Sequence, residues 1–263
     1  MKKRVAILLS CAMMAMLLFG CGSNKAGLKG NTFTVGFDAE FPPYGYMDDN
    51  GEYVGFDLSL AEEVCKRNGW TLKKQPIDWD AKDMELSSGS IDCIWNGFTI
   101  NGREDAYTWT VPYVDNSQVF VVAADSGISS QADLAGKIVA VQADSSALAA
   151  LQEDENKELA DSFASMNQFA DYNTAFMDLE AGAVDAVAMD IGVANYQMES
   201  RDAGKFVILS DYLSSEQYGV GFLLGNETLR DTVQNTLFEM LDDGTFEKIA
   251  KDWGQESTIC LKH

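Results

Sequence analysis

From Phe33 to Trp253 the chain alternates short apolar runs of strand character with segments of helical apolar spacing. This rhythm constrains the fold most. A strand, a covering helix and a second strand tend to place the two strands parallel in one sheet. Phe33-Thr34-Val35-Gly36-Phe37 alternates as a strand, and Ile91 to Trp95 is a short run of buried-strand type. Further strands are predicted over 118–124, 137–141, 184–189 and 207–209. Asp57 reads as the N-cap of a helix whose apolar face is Leu58, Ala61, Val64 and Cys65 and which stops at Asn68-Gly69. Ala143-Asp144-Ser145-Ser146 leads into a helix through Leu151. Asn173-Thr174 can cap a helix carrying Ala175, Phe176 and Leu179, ended by Gly182. Asp243-Gly244 separates two last helices, over 227–242 and 245–253. Phe41-Pro42-Pro43-Tyr44 cannot be helical, and Asp48-Asp49-Asn50-Gly51 is a hairpin-type turn. The expected class is α/β with mainly parallel sheets.

The amino terminus has a different character. Lys2, Lys3 and Arg4 precede a short apolar run that ends in Leu18-Phe19-Gly20-Cys21. A basic start, a short apolar middle and a small residue before the cut make a secretory leader over 1–20. A cysteine directly after that small residue resembles a bacterial lipobox. The resemblance implies cleavage before Cys21 and a lipid on its thiol. The run is too short for a confident membrane span. Residues 21–32 are small, polar and patternless, as expected of a flexible tether. The chain is then extracytoplasmic, held to the outer face of the cell membrane by its lipid anchor only.

The formal net charge is -22, and the leader carries only basic residues, so the remainder is more acidic still. Such a surface disfavours nucleic acid and anionic headgroups. The apolar share of 46% is that of a globular chain rather than a disordered one. With 263 residues, two lobes of about 100 residues each are expected. The segments 113–117 and 213–218 are candidate crossings between them.

The only histidine is the terminal His263, which leaves no Ser-His-Asp or Cys-His catalytic arrangement. There is no CxxC and no His/Cys cluster, so neither metal nor other cofactor is expected. Of the later cysteines, Cys93 is expected as a small buried side chain, while Cys65 and Cys260 are a candidate pair.

A series of short motifs occurs in order: Val35-Gly36-Phe37-Asp38 with Phe41-Pro42-Pro43-Tyr44, Gly55-Phe56-Asp57-Leu58, Trp95-Asn96-Gly97-Phe98-Thr99-Ile100 with Arg103, Pro112-Tyr113, Asp133-Leu134-Ala135-Gly136-Lys137, Gly182-Ala183-Val184-Asp185-Ala186, Met189-Asp190, and Asp243-Gly244-Thr245-Phe246. Together they resemble extracellular solute-binding proteins of family 3, the polar amino-acid-binding lipoproteins of ABC importers. The resemblance implies a two-lobed periplasmic-binding-protein-like fold. One lobe would hold 33–113 and 218–263 and the other 118–213, with a two-segment hinge at 114–117 and 214–217. It implies a monomer that captures a free amino acid, neutral or basic, and hands it to ABC permease subunits without catalysis.

A free α-amino acid is a zwitterion, so its site needs an anion-binding and a cation-binding group close together. Arg103 offers a planar fork for the carboxylate, with Thr99, Ser145 and Ser146 as further donors. In the family the aspartate at the place of Asp190 takes the ammonium, assisted by backbone near Asn96 and Gly97. Relatives commonly put five steps between this threonine and arginine; here there are four, through Asn101-Gly102. Asp38, Phe41, Trp79, Trp95, Phe98, Gln142 and Met189 are the expected side-chain pocket. Two other functions fit the same fold: a dehydratase acting on cyclohexadienyl acids, and a lipoprotein that passes its ligand to a membrane receptor.

Overall fold

The computed structural model describes Leu28 and residues 30–263. The leader, Cys21 and most of the tether lie outside the described residues. The end of the tether is not patternless. Leu28 is buried against the main core, and Asn31 accepts a hydrogen bond from the Thr71 backbone N–H at 2.8 Å. Contacts with the core thus precede Phe33, because the leucine of that stretch finds an apolar surface to join.

Two sheets organise the described residues into two α/β lobes. In the first, Thr32–Phe37 lies between Thr71–Pro76 and Cys93–Ile94, parallel to both; Gly221–Phe222 and Thr108–Trp109 complete it in antiparallel pairing. In the second, Ile138–Gln142 lies between Ser165–Phe169 and Ala186–Asp190, again parallel. The ten-residue strand Val114–Ala123 then runs antiparallel to Ala186–Asp190, to Phe206–Ile208 and to Ser214–Tyr218. The sheets are therefore mixed, against the mainly parallel expectation. Helical crossovers build their parallel halves, and the strands that carry the chain between lobes run back antiparallel.

Period-two alternation places the cores. In Ala186–Asp190, Val187 and Met189 face the helices Tyr172–Glu180 and Ile191–Glu199, which contribute Ala175, Phe176, Leu179, Val193 and Ala194. Ala186 and Ala188 face Ala147, Leu148 and Leu151 of the helix Ser146–Gln152. A strand buried on both faces reads as a continuous apolar run, as the sequence suggested. In the first lobe Phe33, Val35 and Phe37 pack with Leu60, Ala61 and Val64 of Phe56–Asn68 and with Val233, Leu237 and Met240 of Glu227–Asp242.

Two helix starts differ from expectation. Asp57 does not cap its helix. The N-cap is Gly55, and Asp57 sits in the first turn, fully buried, accepting the Gly97 N–H at 2.6 Å. Asp171, not Asn173-Thr174, caps Tyr172–Glu180, by accepting the Thr174 N–H at 2.7 Å. Cys65, Cys93 and Cys260 are all unpaired; Cys65 is buried in the first-lobe core, so the candidate bridge to Cys260 is not formed.

The two crossings pair with each other. Val114 lies opposite Tyr218, Asn116 opposite Glu216 and Gln118 opposite Ser214. The chain's last residues cover the outer edge of this ribbon: Asp115 N–H donates to Thr258 at 2.8 Å and Cys260 N–H to Tyr113 at 3.1 Å.

Gly55 marks the tightest local approach. Its φ is +146°, and a Cβ there would sit 2.2 Å from the Tyr44 carbonyl oxygen. The same approach lets Phe56 and Asp57 donate their N–H groups to Pro43 and Tyr44. Gly55→Ala is expected to cost about 2–4 kcal/mol of stability. Urea denaturation checks this, and an unchanged midpoint would contradict it.

Candidate functional site

Both walls of the cleft are built at strand ends. Arg103 emerges from a tight turn in which its N–H donates to Ile100 at 2.8 Å and Gly102 takes φ +76°. The shortened spacing after Thr99 is absorbed there. The guanidinium lies over the Phe98 ring, 5.5 Å from its centre, and Nη1 donates to Ser146 Oγ on the other lobe at 3.0 Å. Ser145 is engaged otherwise. Its Oγ accepts from Leu148 N–H and donates to the Gln142 carbonyl, so it caps its helix. One cavity of about 300 Å³ is lined by Asn101, Arg103, Asp144, Ser146 and Glu216.

Asp190 ends its strand and occupies the next N-cap without capping it. Its Oδ1 instead accepts Asn116 Nδ2 and Gln118 Nε2, each at 2.8 Å, and the Tyr218 hydroxyl at 2.5 Å. The same two amide groups donate to Glu216 Oε1, at 2.7 and 2.8 Å. Thr99 completes the set. Expected beside Arg103 as a carboxylate donor, it gives its hydroxyl hydrogen to Glu216 Oε1 at 2.8 Å. Asp190 and Glu216 are both buried, and among the described residues no ion pair reaches either. Burial and the Glu216 charge hold the Asp190 carboxyl well above the usual carboxylate range. Gly97 lies against this end: a Cβ on it would come 3.2 Å from the Tyr218 ring and 2.8 Å from Phe41. Asn96 Oδ1 accepts the Asp38 N–H at 3.0 Å.

A second cavity, of about 610 Å³, is lined by Asp38, Glu40, Asp78, Trp79, Asp80, Glu85 and Asp171, every titratable member acidic. Asp38 accepts Gln142 Nε2 from the other lobe at 2.7 Å, and burial pushes its carboxyl up to about 6. Phe41 is buried against Tyr44 and Tyr172.

Three expected pocket residues lie in cores. Met189 precedes Asp190 in a strand and so points to the opposite face, into the main core. Trp95 is fully buried edge-on to Tyr113. Phe98 packs with Trp79, Tyr107 and Trp109, and touches the cleft only as the floor under Arg103.

Sequence reading missed Glu216 and Lys82. Alternation in 214–218 puts Glu216 and Tyr218 on one face, but only the pairing with 114–118 shows which residues they meet. Lys82 is 1% exposed; its ammonium lies 5.1 Å from the centre of the Trp79 ring and ion-pairs across the cleft with Asp144, a non-glycine residue at φ +56°.

Residues 33–256 match the description of bacterial extracellular solute-binding proteins, family 3. The chain belongs to this family. It is 28% identical over 233 residues to the L-cystine-binding protein TcyJ of Escherichia coli K12, covering 88% of this chain and 85% of that one. It is 27% identical to the arginine-binding extracellular protein ArtP of Bacillus subtilis, covering 95% and 98%. A histidine-bound ABC uptake transporter substrate-binding protein from Streptococcus pneumoniae superposes with a TM-score of 0.81 at 34% identity, over 85% of this chain and 92% of that one. Among the described residues no helix is long and apolar enough to cross a membrane, and no group of side chains has metal-ligand clustering.

Burial holds the carboxyl groups of Asp38, at about 6, and Asp57, at about 7, above their ordinary value of 3.8, and raises Asp190 too. The folded state therefore binds more protons than the unfolded chain between about pH 4 and about pH 7, so stability falls as pH rises through that window. The melting temperature of ligand-free protein is expected to drop between about pH 4 and about pH 7, and Asp57→Asn, which keeps an acceptor for Gly97, to flatten the drop. A melting temperature constant over this range would contradict the assignment.

Proposed function

We propose that this chain captures a polar L-amino acid, neutral or basic, by closure of the cleft, and delivers it to an ABC permease without catalysis. The observation that carries this reading is a single cavity flanked by opposite charges: Arg103 on one side, and Glu216, linked through shared amides to Asp190, on the other. That arrangement complements a zwitterion. Arg103 and Ser146 would hold the carboxylate, with Ser145 setting the helix end. Asp190 would receive the ammonium beside the backbone of Asn96 and Gly97. The acidic second cavity, with Asp38 and the Trp79 face, favours a cationic side chain.

Closure follows from where the partners reside. Arg103, Lys82 and Asp38 belong to the lobe of 33–113 and 218–263; Ser146, Asp144 and Gln142 belong to the lobe of 118–213. A ligand held by both interacts fully only when they meet, so binding shifts the open–closed balance. The paired segments 114–117 and 214–217 would be the hinge. One charge contact near 4 Å at an effective dielectric of 20 contributes ~4 kcal/mol before desolvation is subtracted. Several, less ordering costs, are compatible with roughly micromolar affinity, about -8 kcal/mol. The leader ending at Gly20-Cys21 supports a lipid-anchored, monomeric, extracytoplasmic protein.

Calorimetric titration of protein refolded from denaturant with a panel of amino acids, including L-arginine, L-histidine, L-glutamine and L-cystine, tests the reading. At least one is expected to bind in the micromolar range. Arg103→Ala or Asp190→Asn is expected to weaken binding about a hundredfold or more while the melting profile stays cooperative. Indifference to the whole panel would overturn the reading, and unchanged affinity in either variant would overturn that residue's role.

A further inference from the structure

Among the described residues no cationic side chain pairs with Asp190 or Glu216, and neutral donors surround the two carboxyl groups. Four amide N–H bonds from Asn116 and Gln118, one hydroxyl from Tyr218 and one from Thr99 all converge on two oxygens, Asp190 Oδ1 and Glu216 Oε1. Giving both hydrogens of each amide to the pair leaves the amide oxygens, Asn116 Oδ1 and Gln118 Oε1, buried and accepting no hydrogen bond. The cluster is rich in acceptors and short of donors. The other titratable groups facing Asp190 are Tyr44, Tyr172 and Tyr218, none cationic. Arg103, which lines the Glu216 cavity, is turned to Ser146 and Thr99. Two carboxylates this close and this buried repel each other unless a proton or a cation lies between them.

We propose that ammonium capture in this cleft is a proton exchange: without ligand, Asp190 carries a proton kept there by burial and by the facing Glu216 carboxyl group, and the arriving ammonium releases that proton to solvent and is then shared by both carboxylates. With Asp190 Oδ1 already accepting three hydrogen bonds, Oδ2 is the oxygen that holds the proton. The balance is one cation in and one proton out. The ammonium brings three N–H donors, which also serve a cluster short of them. Glu216 thereby becomes a ligand-site residue, and affinity becomes linked to pH. The inference rests on the amino-acid reading above for its ligand, but not for the protonated pair.

Two measurements test it, with L-arginine as probe. In calorimetry with buffers of different ionisation enthalpy, binding near about pH 6 is expected to release close to one proton, and affinity to fall about tenfold per pH unit below the titration of Asp190. In Glu216→Gln, release at that pH is expected to be reduced and the onset of the slope to move to lower pH, while binding persists. In infrared spectra of ligand-free protein, a protonated-carboxyl stretch absent from Asp190→Asn is expected near about pH 6 and lost on alkalinisation. In Glu216→Gln it should vanish at lower pH. If the band is present but L-arginine and the rest of the panel fail to bind, the pair stands and the amino-acid reading falls. If the band is missing, if binding releases no proton, or if Glu216→Gln keeps the wild-type pH profile unmoved, the proposal is overturned.

Discussion

Burying two carboxylates together, Glu216 on a strand that joins the lobes and Asp190 on the strand beside it, is the constraint around which the centre of this molecule is arranged. An isolated carboxylate in an apolar interior is costly, and a second one beside it adds repulsion. The chain offsets this with neutral donors alone. Asn116 and Gln118 stand two residues apart on one strand, and so share a face; Glu216 and Tyr218 do the same on its antiparallel partner. The ladder register brings these four side chains together with Asp190, which arrives from the neighbouring strand of the same sheet. Polar satisfaction, strand pairing and the passage of the chain between lobes are thus one structure.

Three further polar contacts cross the cleft. Arg103 meets Ser146, Gln142 meets Asp38 and Lys82 meets Asp144, each pair drawing one member from each lobe. None of these contacts is wholly apolar, and each faces a cavity. Such bonds can be exchanged for bonds to a polar solute at small net cost, because one hydrogen bond replaces another.

Much of the architecture was legible along the chain, since strand and helix periods, Gly69 as a helix stop and the buried faces of both sheets follow from local spacing. Arg103, Ser146, Asp38 and Gln142 could be singled out because their residue types lie where strands end in motifs of known order, and they do line or bridge the cleft. Aromatic character was a poorer guide. Trp79 lines the acidic cavity, while Trp95 is core, because a ring's chemistry suits both places and only packing chooses. Asp57 misled for a related reason: at a helix start a carboxylate suggests a cap, but the strained entry at Gly55 turns it inward to Gly97.

By itself the sequence determined the alternation that makes two α/β lobes, the arginine at 103 and the acidic surplus, because these rest on composition and on neighbours a few residues apart. The tertiary structure alone decided that the Thr99 hydroxyl goes to Glu216, that Met189 turns into the core while Asp190 does not, and that Glu216 lines the cleft and Lys82 bridges it. Those outcomes depend on register between strands about 100 residues apart and on the approach of one lobe to the other. No local pattern carries that information, because a shift of one position in the ladder would turn Glu216 and Tyr218 to the opposite face.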